Sequence, residues 1–364
     1  MRAYDAVFFI SFGGPEKQED ILPFLENVTR GRNIPRNRLL DVAAHYAHLG
    51  GRSPINEITR QQAAALEKEL AHIPLPVYIG QRHWHPFIED TLQQMMTKGV
   101  KRAIGFITAA HRSEASLERY IRAVEEARER LGEGAPEIDY VDPWFDHPLF
   151  IEALAARVRE TAEGGTQPDR GFPTRPLAPS PPLLEVPWYF IAHSIPCTMA
   201  KNSTYVTELR RTAELVAEKF AKKKWALAYS SRSGRPTDPW LAPDVNETIR
   251  AAAAQGHKAI FFITIGFIAD HVEVLFDQDV EARDTAKTAG LSFYRTATVG
   301  THPFFIRMMA EVIIQRMQRN DSCVQRESTL TLYREGRQEP AVGIKSAVCF
   351  CQPETKHPPC VQTH

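Results

Sequence analysis

Short apolar runs alternate with amphipathic stretches along most of the chain. Residues 5–11 (DAVFFIS) predict a buried strand, and the glycines after Phe12 predict a tight turn before a helix over 17–27. The same pattern predicts further strands at 75–79, 102–108, 138–141, 188–192, 225–230, 259–265 and 291–294. It predicts further helices at 38–48, 57–72, 87–98, 116–131, 148–162, 203–220, 244–255, 272–288 and 303–318.

Regular strand–helix alternation is typical of the α/β class, in which helices cover both faces of a doubly wound parallel sheet. The pattern stops at residues 163–186, which are rich in Pro, Gly and Arg and predict a disordered or loosely packed insertion. It then restarts. We therefore expect two similar Rossmann-like halves, residues 1–162 and 187–318, with a cleft between them, followed by an irregular cysteine-containing tail, 319–364.

Composition narrows the classes of function. The chain has 364 residues, is 24% charged and carries a formal net charge of zero, so neither nucleic acid nor an acidic membrane surface is an expected partner. No apolar run reaches the roughly 18 residues of a membrane-spanning helix. The N-terminal apolar run is short and enters Gly13-Gly14-Pro15, which favours a strand over a signal peptide and predicts a cytoplasmic protein.

Nucleotide-binding motifs are not found in the sequence. It has no phosphate-binding loop with the Lys that such loops carry, and no Gly-x-Gly-x-x-Gly follows the first strand. A reaction that depends on ATP or a dinucleotide is therefore unsupported.

A stripe of acids follows the apolar run 260–265. Glu273, Asp277 and Glu281 are spaced at i, i+4 and i+8, so a helix would place them on one face. Like charges at this spacing repel by roughly 0.2–0.5 kcal/mol per pair. The stripe predicts either an ordinary solvated acidic face or a path for cations or protons.

Histidines follow several predicted strands. His193 comes directly after one, where an α/β sheet usually places ligand residues, so it is either a functional ligand or an ordinary loop imidazole. His83, His85 and His111 have neighbours and spacings that favour ordinary polar loops. His271 lies two residues before Glu273 and either orients that carboxylate or caps the helix.

Arginines in predicted turns are candidate carboxylate ligands. Arg30, Arg32 and Arg52 could each pair with a carboxylate, since a guanidinium group binds one through two parallel hydrogen bonds. The alternative is ordinary surface charge.

Six segments, in order and with plausible spacing, resemble the ferrochelatase family, above all its actinobacterial coproporphyrin III type. They cover the chain from about residue 4 to about residue 318. The segments are FISFGGP (9–15), FLENVTRGR (24–32), GGRSPIN (50–56), AHSIP (192–196), SRSGRPTDPWLAP (231–243) and GFIADHVE (266–273).

The resemblance implies a chelatase-like fold whose two Rossmann-like halves enclose a porphyrin cleft. It implies insertion of the substrate Fe²⁺ into coproporphyrin III in haem biosynthesis, with release of two protons and with no cofactor required for catalysis. Haem-pathway enzymes are candidate partners. Protoporphyrin IX is the alternative porphyrin, cobalt an alternative metal, and a non-catalytic tetrapyrrole carrier the alternative class of protein.

The resemblance also implies roles for individual residues. His193 and Glu273 match the catalytic, iron-binding pair, and Asp277 and Glu281 match an acidic ladder for metal or protons, although Asp277 stands where Glu is common. A neutral imidazole can accept a porphyrin proton or bind iron transiently. A sparse His/carboxylate site suits turnover better than a closed metal site, which would hold the ion permanently.

The implied porphyrin contacts come from the first half of the chain. Ser53 and Tyr120 match porphyrin-binding positions, and Arg30 and Arg32 are candidate partners for the propionates. Phe12 stands where some relatives carry a Tyr that can reach the iron, and a phenyl ring cannot coordinate a metal.

Cysteines are concentrated near the C-terminus, which suggests a metal or cluster site more than disulfides. Many members of the family bind a 2Fe–2S cluster through one internal and three C-terminal cysteines. Cys349, Cys351 and Cys360 are candidates for the three. The usual internal segment, here 109–120, has no cysteine, which leaves Cys197 or Cys323 as the fourth ligand.

Overall fold

A computed structural model describes residues 4–32, 34–164, 182–233 and 238–319. Most of the predicted insertion 163–186 and nearly all of the tail, including Cys323, Cys349, Cys351 and Cys360, lie outside the described residues. The described strands are β1 (Ala6–Ser11), β2 (Val77–Gln81), β3 (Arg102–Ile107), β4 (Glu137–Tyr140), β5 (Trp188–His193), β6 (Trp225–Ser230), β7 (Ala259–Thr264) and β8 (Ser292–Arg295).

These strands form two parallel sheets, one in each half of the chain. The first sheet has the order β2-β1-β3-β4 and the second the order β6-β5-β7-β8, so the same topology occurs twice. All the strand pairs are parallel. Parallel pairing requires crossover connections, which the helices supply, and the predicted doubly wound α/β fold is confirmed.

The helices follow the predicted order. Their bounds are α1 (Ile21–Thr29), α2 (Arg36–His48), α3 (Ile55–Glu69), α4 (Ile88–Thr97), α5 (Arg119–Leu131), α6 (Pro148–Ala162), α7 (Cys197–Lys201), α8 (Tyr205–Glu218), α9 (Val245–Ala254), α10 (Val272–Phe276), α11 (Arg283–Thr288) and α12 (Pro303–Gln318). Within the described part of the chain, no helix is long and apolar enough to span a bilayer.

Several element predictions were wrong in detail. A π-helical segment, Glu114–Glu118, precedes α5, where an α-helix was predicted from residue 116. The second strand begins at Val77, not at residue 75. Pro76 has no N–H to donate to the strand ladder, so only its carbonyl takes part, by accepting a hydrogen bond from the Val7 amide. The short helix α7 was missed ahead of α8. The predicted helix over 272–288 is not a continuous α-helix, since a π-helical segment, Asp277–Ala282, separates α10 from α11.

One apolar core runs through both halves. It contains Phe9 and Phe106 of the first sheet and Phe190 and Phe261 of the second. The last helix among the described residues, α12, lies against α3, α6 and β3 of the first half. The two sheets are therefore held by shared packing as well as by the chain that connects them.

The C-terminal end of the predicted loose insertion is packed against this core. Leu183 is buried, and its carbonyl oxygen accepts a hydrogen bond of 2.7 Å from the indole N–H of Trp188. Lys222 Nζ donates to the carbonyl oxygens of Leu184 and Val186 at 2.6 and 2.8 Å. These contacts tie the end of the insertion to the core, while Leu184 itself is exposed, and the packing of the rest of 163–186 stays a prediction.

Candidate active site

His193 is the last residue of β5, at the carboxyl end of a central strand. Its Nδ1 is hydrogen-bonded to the carbonyl oxygen of Ser194. A carbonyl can only accept, so Nδ1 carries the proton of the neutral ring and Nε2 keeps a free lone pair. The His193 carbonyl accepts a bond of 3.0 Å from the Tyr205 hydroxyl, which fixes the end of the strand.

Glu273 lies opposite this lone pair, with Oε1 at 3.7 Å from His193 Nε2. A lone pair and a carboxylate at this distance repel unless a cation lies between them. A metal ion with ligand bonds of about 2.1 Å can span the gap. The side chains are 29% and 46% exposed, so the pair is open to an incoming ion.

The two groups shift each other's pKa in opposite directions. Burial lowers the pKa of His193, but the Glu273 carboxylate outweighs burial and the net result is a raised pKa. For Glu273 burial raises the pKa, and the neighbouring His193 outweighs it and brings the value to about 2. Glu273 is therefore anionic at neutral pH, and His193 is the member of the pair that takes up a proton.

His271 holds Glu273 at the start of α10. It is the N-cap residue, and its Nδ1 accepts a hydrogen bond of 3.2 Å from the Glu273 amide. The ring also approaches the Glu273 carboxylate, with Nδ1 at 3.9 Å from Oε2. Burial lowers the His271 pKa, so the ring stays neutral and can accept that bond. Of the two interpretations left open for His271, the structure shows capping.

Asp277 follows Glu273 one turn later and is not an ordinary surface acid. It accepts a hydrogen bond from the Ser231 hydroxyl. Burial raises its pKa to about 8, and the negative charges of Glu273 and Glu281 add to the effect. Asp277 therefore carries a proton at neutral pH.

Glu281 ends the acidic series at an exposed position. An α-helical step of four residues overshoots a full turn of 3.6 residues, whereas the same step undershoots the wider π turn. The π-helical segment thus brings Glu281 back toward the line of Glu273 and Asp277. Burial and the neighbouring Asp244 raise the pKa of Glu281. The three acids lead from the His193 pair to the surface, and their use as a relay stays a prediction.

Phe12 lies at the carboxyl end of β1 and belongs to the wall facing the second half. Its ring centroid is 4.6 Å from that of His83 and 6.2 Å from that of Phe24. The Phe12 carbonyl accepts from the His83 amide at 3.0 Å. Burial lowers the pKa of His83 to about 3, so this ring is neutral and structural, in line with the ordinary-loop interpretation.

Ser53 lies near the end of β1, whereas Arg30 directly follows α1. Ser53 is buried, with its amide donating to the Pro15 carbonyl at 2.8 Å. A Cβ on Gly14 would come within 2.9 Å of the Ser53 Cβ, so the close approach requires glycine there. Arg30 is exposed and donates to Asn27 Oδ1 at 2.5 Å. Contact of either residue with a porphyrin stays a prediction.

Two tyrosines of the first half lie near Glu273. Burial raises the pKa values of Tyr46, on α2, and Tyr120, on α5, and the Glu273 charge adds to both shifts. Helix α2 also contacts α10, where the ring of His45 stacks on Phe276 with centroids 3.8 Å apart. Residues from both halves therefore surround the His193 pair.

Two residues near this site were given no individual role from the sequence. Ser231 follows β6, and Arg82 follows β2 with its guanidinium 5.8 Å from the centre of the Tyr120 ring. Both lie just beyond strand ends, the same positional signal that pointed to His193. The signal could have found them, because β6 and β2 are the neighbours of β5 and β1.

The cysteine prediction remains untested. Cys197 is buried at the start of α7, and its amide donates to the Pro239 carbonyl at 2.9 Å. The three candidate ligands near the C-terminus lie outside the described residues. Across the described ranges, no three His, Cys, Asp or Glu side chains converge on a point that could hold a metal ion.

The architecture is that of two-half chelatases. SirB from Bacillus subtilis with Fe3+ has a similar structure, with a TM-score of 0.51 and 13% identity over 86% of this chain and 98% of that one. At this identity the likeness shows the fold alone. It confirms the chelatase-like α/β fold that the sequence pattern and the resemblance predicted.

Sequence comparison identifies the family. The family model named Ferrochelatase matches residues 4–317, so the chain belongs to the ferrochelatase family and is a porphyrin metal chelatase. A Ferrochelatase from Rhodopirellula baltica is 42% identical over 317 residues, 86% of each chain. The Coproporphyrin III ferrochelatase of Mycolicibacterium smegmatis is 40% identical over 316 residues, 85% of this chain and 89% of that one.

Proposed function

We propose that this enzyme inserts Fe²⁺ into coproporphyrin III, with release of two protons and without ATP. The observation that carries the proposal is the His193–Glu273 pair, with Nε2 and Oε1 3.7 Å apart at the carboxyl end of the second sheet. The name of one reported relative, the Coproporphyrin III ferrochelatase of Mycolicibacterium smegmatis, supports the choice of porphyrin.

Metal insertion leaves the charge of the porphyrin ring unchanged. The free-base porphyrin loses two N–H protons and the ring nitrogens bind one Fe²⁺, so the macrocycle is neutral before and after. In our proposal His193 Nε2 takes a pyrrole proton, because its lone pair is free and its pKa is raised beside Glu273. Glu273 stays anionic and stabilises the imidazolium that forms, as well as the approaching Fe²⁺.

Protons leave along the acidic series in this proposal. Asp277 is protonated at neutral pH, so it passes its own proton toward Glu281 before it accepts the next one. Glu281 is exposed and exchanges with solvent. A path of this kind separates the outgoing protons from the porphyrin, which covers the other side of the pair.

The cysteines and the cellular location enter the proposal only as predictions. No step is routed through a 2Fe–2S cluster, because Cys197 is the one candidate ligand within the described residues. Cytoplasmic location stays a prediction from the sequence.

The test is an anaerobic absorbance assay with the purified full-length protein, Fe²⁺ and coproporphyrin III. We expect conversion of the free-base spectrum to a metalloporphyrin spectrum, faster than without protein. A shifted porphyrin band without metallation would instead indicate a carrier. Conversion of protoporphyrin IX alone would indicate the alternative substrate.

A further inference from the structure

The peptide that joins His193 to Ser194 is held on both of its edges. Earlier in β5, the Ile191 carbonyl accepts from the first two amides after β7, at 3.1 and 3.0 Å. The His193 carbonyl points to the same edge of the strand and accepts instead from the Tyr205 hydroxyl at 3.0 Å. On the opposite edge, the Ser194 amide donates to the Ser230 carbonyl at 2.8 Å. The Tyr205 hydroxyl thus takes the place of a strand partner.

The plane of this peptide decides how the His193 ring is held. Its Nδ1 donates to the carbonyl oxygen of Ser194, the next acceptor along the chain. A rotation of the peptide would move that acceptor away from the ring, and either nitrogen could then carry the proton of the neutral imidazole. Through the backbone, Tyr205 therefore keeps the lone pair of Nε2 free.

Tyr205 is one of three buried residues on a single face of α8. Glu208 and Thr212 follow it at i+3 and i+7, which brings all three to the same side of the helix. The second half contributes α8, but this face lies against the loop that follows β3 in the first half. That loop carries His111 and Arg112.

Two residues of the loop hold this face of α8. The rings of His111 and Tyr205 meet edge to face, with centroids 6.4 Å apart. His111 Nε2 lies 3.0 Å from the Thr212 hydroxyl oxygen. The Arg112 amide donates to Glu208 Oε2 at 2.6 Å. The position of Tyr205 therefore depends on a contact between the two halves of the chain.

His111 is the donor in its bond to Thr212. The hydroxyl hydrogen of Thr212 is directed to carbonyl oxygens, those of Phe145 at 2.8 Å and Glu208 at 3.1 Å. The hydroxyl must therefore accept from His111, whose Nε2 carries the proton. Burial lowers the pKa of His111 to about 3, so the ring is neutral. Because Nδ1 has no hydrogen-bond partner among the described residues, the polar contact of the ring with α8 depends on Nε2.

We propose that Tyr205 is a positioning residue for metal insertion and that His111 of the first half holds it in place. Tyr205 fixes the peptide whose next carbonyl sets the tautomer of His193. His111 fixes the helix face that carries Tyr205, so the catalytic ring is aligned only when the two halves are correctly packed. The inference rests on the proposed role of His193 as proton acceptor.

Tyr205→Phe is the first variant, because it removes the hydroxyl and keeps the ring. We expect kcat for Fe²⁺ insertion into coproporphyrin III to fall about tenfold or more, since the acceptor is misaligned. KM for the porphyrin should change less than about threefold, because binding does not depend on that alignment. Tyr189→Phe, which removes a hydroxyl near the start of the same strand, is the matched control and should leave both constants unchanged. An unchanged kcat in Tyr205→Phe would overturn the inference.

His111→Gln and His111→Leu test the support from the first half. Glutamine can place an N–H donor near the position of Nε2, whereas leucine fills the space without a donor. We expect His111→Gln to keep kcat within about threefold of wild type and His111→Leu to lose about as much as Tyr205→Phe. Losses in the double variant His111→Leu/Tyr205→Phe should not add, because both changes act on one hydrogen bond. Additive losses, or equal losses in the two His111 variants, would show that His111 does not act through Tyr205.

The tautomer of His193 separates this inference from the proposed function. Long-range ¹H–¹⁵N NMR of the metal-free protein, at a pH where the ring is neutral, distinguishes Nδ1–H from Nε2–H imidazole, and His193→Ala assigns the signal. We expect Nδ1–H in the wild type and in Tyr189→Phe, and a mixture of tautomers in Tyr205→Phe. An unchanged tautomer in Tyr205→Phe would overturn the inference. If the wild-type enzyme fails to metallate coproporphyrin III, the proposed function is wrong, yet the spectra still decide whether Tyr205 positions the ring.

Discussion

One hydrogen bond decides which nitrogen of His193 faces the cleft. Because Nδ1 is bonded to the Ser194 carbonyl, Nε2 is the atom available to a proton or a metal ion. The meeting of His193 and Glu273 could be predicted from the sequence, since each follows an apolar strand and β5 pairs with β7. The approach of Tyr46 to Glu273 could not, because it depends on how the two halves of the chain pack together.

The variant His193→Ala tests whether His193 is the proton acceptor. We expect metal insertion to be abolished, since the imidazole no longer serves as proton acceptor or ligand. Porphyrin affinity should stay within about tenfold, because the residues of the first half that face the cleft are unchanged. Stopped-flow absorbance measures insertion, and fluorescence quenching measures porphyrin affinity. An equally large loss of both would show that the residue is structural.

The variant Asp277→Asn tests whether Asp277 is protonated in the folded protein at neutral pH. The folded-state pKa of Asp277 is about 8 against an ordinary value of 3.8, so ionisation in the folded state is disfavoured. The wild-type protein therefore loses stability as pH rises from about 4 to about 8, and the neutral amide removes this loss.

Thermal unfolding at several pH values measures the effect. The Tm of Asp277→Asn relative to wild type should rise from pH 5 to pH 8 and level off above that. A constant difference across this range would mean that the carboxyl titrates normally. Asp284→Asn, an exposed acid on α11, is the control and should show no such trend.

At the scale of elements, the π-helical segment depends on a buried ion pair. Arg295, at the end of β8, is buried and donates through Nε and Nη2 to the Asp279 carboxylate, with Nε at 2.8 Å from Oδ1. Its Nη1 lies 3.7 Å from Asp270 Oδ1, so one arginine holds residues on both sides of Glu273. The pair spans 16 positions of sequence, which explains why local periodicity predicted an uninterrupted α-helix.

Asp279→Ala should destabilise the protein by about 3–5 kcal/mol, because it leaves the Arg295 charge buried and without its main partner. The matched control removes the other partner of the same carboxylate. Arg283 is 46% exposed and lies 3.3 Å from Asp279 Oδ1, so Arg283→Ala should cost no more than about 1 kcal/mol. Urea unfolding measures both, and equal losses would show that burial of Arg295 does not matter.

At the scale of the whole molecule, the two halves share their core. The ring of Phe305, on α12, lies 5.7 Å from that of Trp144 and 6.0 Å from that of Phe150 in the first half. Two similar parallel sheets could be predicted from the repeated pattern, which did not predict their strand order. The position of α12 could not, because an amphipathic helix does not specify which sheet it covers.

Shared packing predicts one cooperative unfolding unit. The amides of β1 and β7 should show the same free energy of opening in native-state hydrogen exchange, since each sheet buries one face in the core that the two halves share. Mass spectrometry with peptide-level resolution measures this. A lower value for either strand would mean that its half opens alone.

The return of the last helix to the first half also bears on synthesis at the ribosome. Phe150 leaves the ribosome long before Phe305, which covers it in the finished protein. At about 5–20 residues per second, the delay is on the order of 10–30 s. Throughout that interval the nascent chain lacks α12, the helix that covers this aromatic surface in the described structure, so the core of the first half is completed only after α12 has been made.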